Sequence, residues 1–104
     1  MFIFAPKVAR DTEIFSADYS AAKMQSGDTI TSASWHSTCI KGNDPNPSLM
    51  IQGSSTITGV VVNQMITGGV PNSTYILECV ANTKLGETIT LYGELSIVAA
   101  PNLP

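Results

Sequence analysis

An antiparallel β-sandwich of about seven strands is the fold this all-β chain predicts, on three observations. The C-terminal third alternates: Ile89, Leu91, Leu95 and Ile97 are apolar, while Thr88, Thr90, Glu94 and Ser96 between them are polar. That two-residue period belongs to a strand with one buried face. The run before it sets Tyr75, Leu77, Cys79 and Ala81 on one side, and Lys84-Leu85-Gly86-Glu87 joins the two runs with a turn containing glycine. Together they form a long hairpin. The rest of the chain breaks into short β-prone runs separated by Gly, Pro, Asn and Asp. A hairpin with one greasy face is unstable alone in water, so these runs must supply a second, covering sheet.

Taken in order, residues 1–10 are apolar at the start and broken by Pro6, and they read as an N-terminal arm that covers the core or reaches a neighbour. Residues 11–98 form the sandwich and residues 99–104 a tail. Thr12-Glu13-Ile14-Phe15-Ser16-Ala17-Asp18-Tyr19 puts Phe15, Ala17 and Tyr19 on one side as a first strand; residues 19–25 have helical propensity for a turn or two before Ser26-Gly27-Asp28 turns the chain. The second strand is residues 29–36, with the only tryptophan, Trp35, as the plug between two sheets that lie about 10 Å apart.

Gly42-Asn43-Asp44-Pro45-Asn46-Pro47 contains no apolar residue and is an exposed loop. Residues 49–51 and 55–58 follow as two short strands split by Gln52-Gly53-Ser54. Residues 60–66, opening on three valines, read as a strand covered on both sides. Gly68-Gly69-Val70-Pro71-Asn72 then leads into the hairpin. The predicted core is Trp35, Tyr75, Leu77, Cys79, Ile89, Leu91, Leu95 and Ile97. Strand number and spacing are those of an immunoglobulin-like or fibronectin type III-like sandwich. The antibody-type cysteine signature is missing: Trp35 precedes Cys39 instead of following a cysteine, and Tyr75 lies four residues before Cys79.

Composition narrows the function. Hydrophobic residues make up 43% of the chain and charged ones 12%, which excludes disorder and leaves a surface built mainly of Ser, Thr, Asn and Gln. Such a surface suits subunits that pack beside their own copies. The net charge is -3 and Lys7, Arg10, Lys23, Lys41 and Lys84 are scattered, so no basic stripe exists for a nucleic acid. No apolar run approaches the roughly 18 residues of a membrane span, and the opening Met1-Phe2-Ile3-Phe4-Ala5 lacks the preceding positive region and the length of a signal-peptide core. Synthesis in a cytoplasm without an export signal, with Cys39 and Cys79 as thiols, is the expectation.

No constellation for catalysis, cofactor or metal emerges. His36 and Cys39 make a lone H-x-x-C, short of the four ligands of a structural zinc site. His36 is also the only histidine, so neither Cys79 nor Ser37 has a base beside it, and the chain reads as a non-enzyme. Asp11, Glu13, Asp18 and Asp44 lack the spacing of a calcium loop. Asn72-Ser73-Thr74 fits a glycosylation sequon but is read as turn chemistry.

Asp18-Tyr19-Ser20, then Gly27-Asp28-Thr29-Ile30-Thr31-Ser32-Ala33-Ser34-Trp35, Val60-Val61-Val62, Gly68-Gly69, Ser73-Thr74-Tyr75 and Gly86 carry a resemblance over residues 11–98. Together they resemble the small Ig-like structural proteins of tailed bacteriophages, encoded among head and tail genes. The resemblance implies a virion component without catalysis. Its first expectation is a capsid decoration (cement) protein that binds the major capsid protein, contacts its own copies and stabilises the head. The alternative is a neck, tail or head-fibre accessory, or an Ig-like carbohydrate- or receptor-binding module. Candidate partner-binding residues are Phe2, Ile3 and Phe4 in the apolar arm and Asn43, Asp44 and Asn46 in the polar loop.

Overall fold

The computed structural model describes residues 2–21 and 24–99. Eight strands follow in chain order: β1 (Phe2–Ile3), β2 (Lys7–Val8), β3 (Thr12–Asp18), β4 (Ile30–Lys41), β5 (Ile51–Thr58), β6 (Val61–Thr67), β7 (Thr74–Thr83) and β8 (Thr88–Val98). They form two sheets. One has the order β1-β8-β7-β4 with β2 also on β8, and the other the order β3-β6-β5. The chain changes sheet at β2 to β3, β3 to β4, β4 to β5 and β6 to β7, which is the Greek-key wiring of an immunoglobulin-like sandwich. Since β1 and β2 share one edge, seven strand positions are filled.

The hairpin of β7 and β8 is the backbone of the first sheet, in register from Thr74 opposite Ser96 to Asn82 opposite Thr88. Tyr75, Leu77, Cys79, Ala81, Leu95 and Ile97 are buried, and Ile89 and Leu91 pack against them half-buried toward the open end of β8. Trp35 projects inward from β4 and is buried with them. From the other sheet come Phe15, Ala17, Val62 and Ile66. Tyr19 adds the largest side chain: it is buried just past β3, and its hydroxyl donates across the core to the Cys79 carbonyl at 2.9 Å.

Several sequence-level readings are corrected. β4 runs to Lys41, five residues beyond the expected end at His36, because Ser37-Thr38-Cys39-Ile40 continues the β pattern up to Gly42. A register shift between Ile30 and Ser32 then lets Ile30 bury on the same face as Ala33 and Trp35 despite the odd spacing. Residues 19–25 give only a single 3-10 turn, Tyr19–Ala21, in the described part. Pro47–Met50 is also a 3-10 turn, because the proline at its start favours a turn over a strand; it buries Met50 and leaves Leu49 outside.

The two short strands expected after it are one strand, β5, irregular between Gln52 and Thr56. There the carbonyls of Gln52 and Gly53 turn inward and accept from the buried Gln64 Nε2 at 2.8 and 3.2 Å. β6 is covered on one face only: Val62, Gln64 and Ile66 are buried while Met65 faces out. Its hairpin with β5 turns on Gly59 and Val60, and Gly59 at φ +60° with Val60 at negative φ is the pattern of a type II′ turn.

The arm does not hang free. β1 pairs in parallel with Gly93 and Glu94 of β8, and β2 with Ile97 and Val98, on either side of the break at Ala5-Pro6. Lys7 is fully buried, and its ammonium donates to the carbonyls of Gly68 at 2.7 Å, Val8 at 2.8 Å and Ala9 at 3.4 Å. Burial pushes its pKa below the ordinary lysine range, while Glu13 and Asp11 pull the other way. The Gly68 carbonyl is reachable because the Gly68-Gly69 pair turns tightly there, and a Cβ on Gly69 would run into Ile97. Replacing Lys7 with Met, which keeps the length but not the donors, is expected to cost about 3 kcal/mol because it strands buried carbonyls. Urea unfolding of the purified chain measures the loss, and an unchanged midpoint would refute this role.

Candidate interaction surface

The six candidate contact residues do not converge. Ile3 is 70% exposed on β1 opposite Glu94, at one edge of the first sheet. Phe2 is its neighbour in the strand. Phe4 turns inward instead, half-buried, with its ring edge-to-face on Phe15 at 5.1 Å between centroids. The loop carrying Asn43, Asp44 and Asn46 leaves the end of β4, the opposite edge of that sheet, with β7 and β8 in between. Asn43 and Asn46 are exposed. Asp44 is a loop anchor: Oδ1 accepts from the Asn46 N–H at 2.9 Å, and Oδ2 accepts from the buried Tyr75 hydroxyl at 2.7 Å. The same hydroxyl accepts from the Val70 N–H at 2.9 Å, so one tyrosine ties the polar loop to the turn before β7. Asn72 in that turn takes the left-handed conformation at φ +66°, as its reading as turn chemistry requires.

Residues weighed for chemistry are also separated. Alternation along β4 sends His36 outward, where it meets Ser34 Oγ at 3.2 Å, while Cys39 faces inward, so the H-x-x-C cannot bind one metal ion. Ser37 Oγ donates toward the Met50 sulfur at 3.7 Å. Cys39 and Cys79 are both free thiols, and burial pushes the Cys79 thiol upward.

The surface offers two features that the sequence did not single out. On the outer face of the second sheet, Ile14 lies opposite Met65, flanked by the Thr12–Thr67 hydroxyl contact at 2.7 Å and the Ser16–Asn63 hydrogen bond. Both apolar side chains are exposed there. Between the sheets, on either side of Trp35, lie two grooves. One of about 400 Å³ runs between β4 and β5, with Ser32, Ser34, Ile51, Ser55, Ile57 and Gln64 among its walls. The other, about 460 Å³, opens between β3 and β8 and is mainly apolar. Trp35 borders both, and its buried indole N–H has no hydrogen-bond partner among the described residues. Neither groove was legible in the letters, because each lies between strands far apart in sequence.

Acidic groups hold the top end and the rim. Asp18 is held below the ordinary carboxylate range by the Ser20 N–H and hydroxyl. For Asp28, burial pushes the pKa up, but the nearby Thr83 side chain and the hydrogen bonds from the Leu85 and Thr29 N–H groups to Oδ1 outweigh it and the net shift is downward. Asp28 thereby fastens the β7–β8 turn to the start of β4.

The family model described as podophage GP4 fiber-tail adaptor protein gp77 matches residues 7–92. The chain belongs to this family. No curated protein matches it. The match runs from the buried Lys7 through Tyr92 on β8 and so takes in both sheets. Membership in the fiber-tail adaptor family makes the chain a structural component of a tailed-phage virion, as the motif resemblance implied. It supports an accessory at the tail or fibre over a decoration of the capsid surface, since adaptor and cement are different places in the particle.

The Tyr75 anchor has a pH signature. Burial, opposed by the Val70 N–H and reinforced by Asp44, pushes the phenol from 10.0 up to about 12. A folded-state pKa above the unfolded one gives stability that is complete below pH 10 and is lost as pH rises toward 12. Across that window this group should contribute a decline of about 1.4 kcal/mol per pH unit. Urea midpoints between pH 9 and pH 12 should therefore fall less steeply for Tyr75→Phe than for the parent chain; parallel curves would contradict the assignment.

Proposed function

We propose that this chain is a non-enzymatic adaptor of a podophage virion, seated at the tail, where it joins a fibre to the tail body and lies beside copies of itself. The family match over residues 7–92 carries the reading. The physical character of the molecule agrees with it. A sandwich in which burial and backbone pairing hold every layer presents rigid edges, and only 12% of its residues are charged, so neighbouring subunits meet little repulsion. Exposed Ile3, Ile14, Leu49, Leu85 and Tyr92 are spread around it, which gives separate contacts to separate neighbours in place of one large patch. Among the candidate contact residues, Ile3, Asn43 and Asn46 stand on accessible positions at opposite sheet edges, an arrangement suited to bridging two partners. Repeated in a symmetric assembly, weak contacts of this kind add through multivalency.

Fractionation of purified virions into heads and tails tests the placement. The chain is expected with tails and fibres, and particles assembled without it should keep their tails and lose their fibres. Recovery with the head shell at a copy number near that of the shell protein would replace this reading with capsid decoration.

A further inference from the structure

The N-terminal arm leaves part of the edge it occupies uncovered. β1 begins at Phe2 opposite Gly93, and among the described residues no strand lies on that side of β8 from residue 88 to residue 91. The Phe4 N–H donates to the Glu94 carbonyl and the Ala9 N–H to the Val98 carbonyl, both at 2.9 Å, so even-numbered residues of β8 turn their backbone groups toward the arm. Alternation along the strand points the N–H and C=O of Thr88 and Thr90 the same way. At strand rise this open stretch is about 13 Å long.

Beneath it lies the larger groove between β3 and β8, with Phe4, Ala17, Trp35, Leu77 and Leu91 as apolar walls. Trp35 is 6% exposed, and its buried N–H lacks an acceptor among the described residues. Asp18, exposed, is the one charged residue among the described residues that border the groove. These features specify different parts of one occupant. A row of alternating donors and acceptors is matched by another extended backbone, an apolar cleft beside it takes the inward side chain of that strand, and an exposed carboxylate at the mouth favours a cation.

We infer that this edge receives an extended segment of a partner protein, which continues the line of β1 along residues 88–91, inserts an apolar side chain beside Trp35 and sets a lysine or arginine against Asp18. The identity of the partner as a tail or fibre protein rests on the adaptor reading above; the chemistry of the segment rests on the groove.

Overlapping 15-residue peptides tiled from the phage's tail and fibre proteins, and from this chain itself, are immobilised and probed with the full chain. One tail or fibre segment with an apolar residue near a lysine or arginine should bind, and binding should slow hydrogen exchange at Thr88 and Thr90. Thr90→Pro, which deletes an edge N–H, and Asp18→Asn, which removes the charge but keeps an acceptor oxygen for the Ser20 N–H, should each weaken binding about tenfold, the size of one charge-assisted or backbone hydrogen bond. The proposal is overturned if the bound peptide is indifferent to Asp18→Asn, if protection falls on another edge, or if only a peptide from this chain binds, which would make the edge a self-assembly contact. Should no peptide bind while the chain still co-sediments with tails, the groove inference fails and the adaptor reading stands; loss of that co-sedimentation would remove the adaptor reading itself.

Discussion

The one-sidedness of the β7–β8 hairpin is the constraint from which the rest of the structure follows. Six of its apolar side chains are buried on one face, from Tyr75 to Ile97, and burying that face requires a second layer at the distance of two interleaved side chains. Trp35 and Tyr19 fill that distance. Trp35 enters from β4, and Tyr19 crosses from the other sheet to reach the Cys79 carbonyl. Every change of sheet along the chain serves to bring Phe15, Ala17, Val62 and Ile66 over this surface.

Where strands break, buried polar side chains take over the work of the ladder. Backbone N–H and C=O groups removed from water must find partners. Lys7 collects carbonyls at the arm and the Gly68 turn, Gln64 collects those freed by the irregularity in β5, and Asp28 collects N–H groups at the far end. Each lies at a place where regular pairing stops. The sandwich is thus closed at its ends and irregular points by side chains that a hydropathy reading would assign to the surface.

A rigid, weakly charged sandwich with edges left open is a physical object suited to being one link in an assembly. Its outer faces carry hydroxyl and amide groups that bind water or a neighbour with similar ease, and its unpaired edges offer the stronger, directional contacts. The Tyr75–Asp44 contact holds the polar loop against the body, so the loop meets a partner in a preset shape and little ordering entropy is lost on contact.

Periodicity made the hairpin legible, since Tyr75, Leu77, Cys79, Leu95 and Ile97 alternate without interruption, and turn chemistry made the breaks at Gly42, Gly59 and Gly86 legible. The motif pieces around Asp18-Tyr19-Ser20 and Gly27 to Trp35 pointed to a tailed-phage structural protein. Local letters misjudged β4, β5 and the valine run, where a bulge, a 3-10 turn and coverage from one side alone depend on neighbours distant in the chain. The burial of Lys7 and Phe4, and the groove between β3 and β8, had no local signal at all. By itself the sequence determined the layers and which face of the β7–β8 hairpin is greasy, because a two-residue period is written in adjacent side chains. Only the tertiary structure decided which edges stay open and which polar groups go inside, because both depend on which remote strands become neighbours.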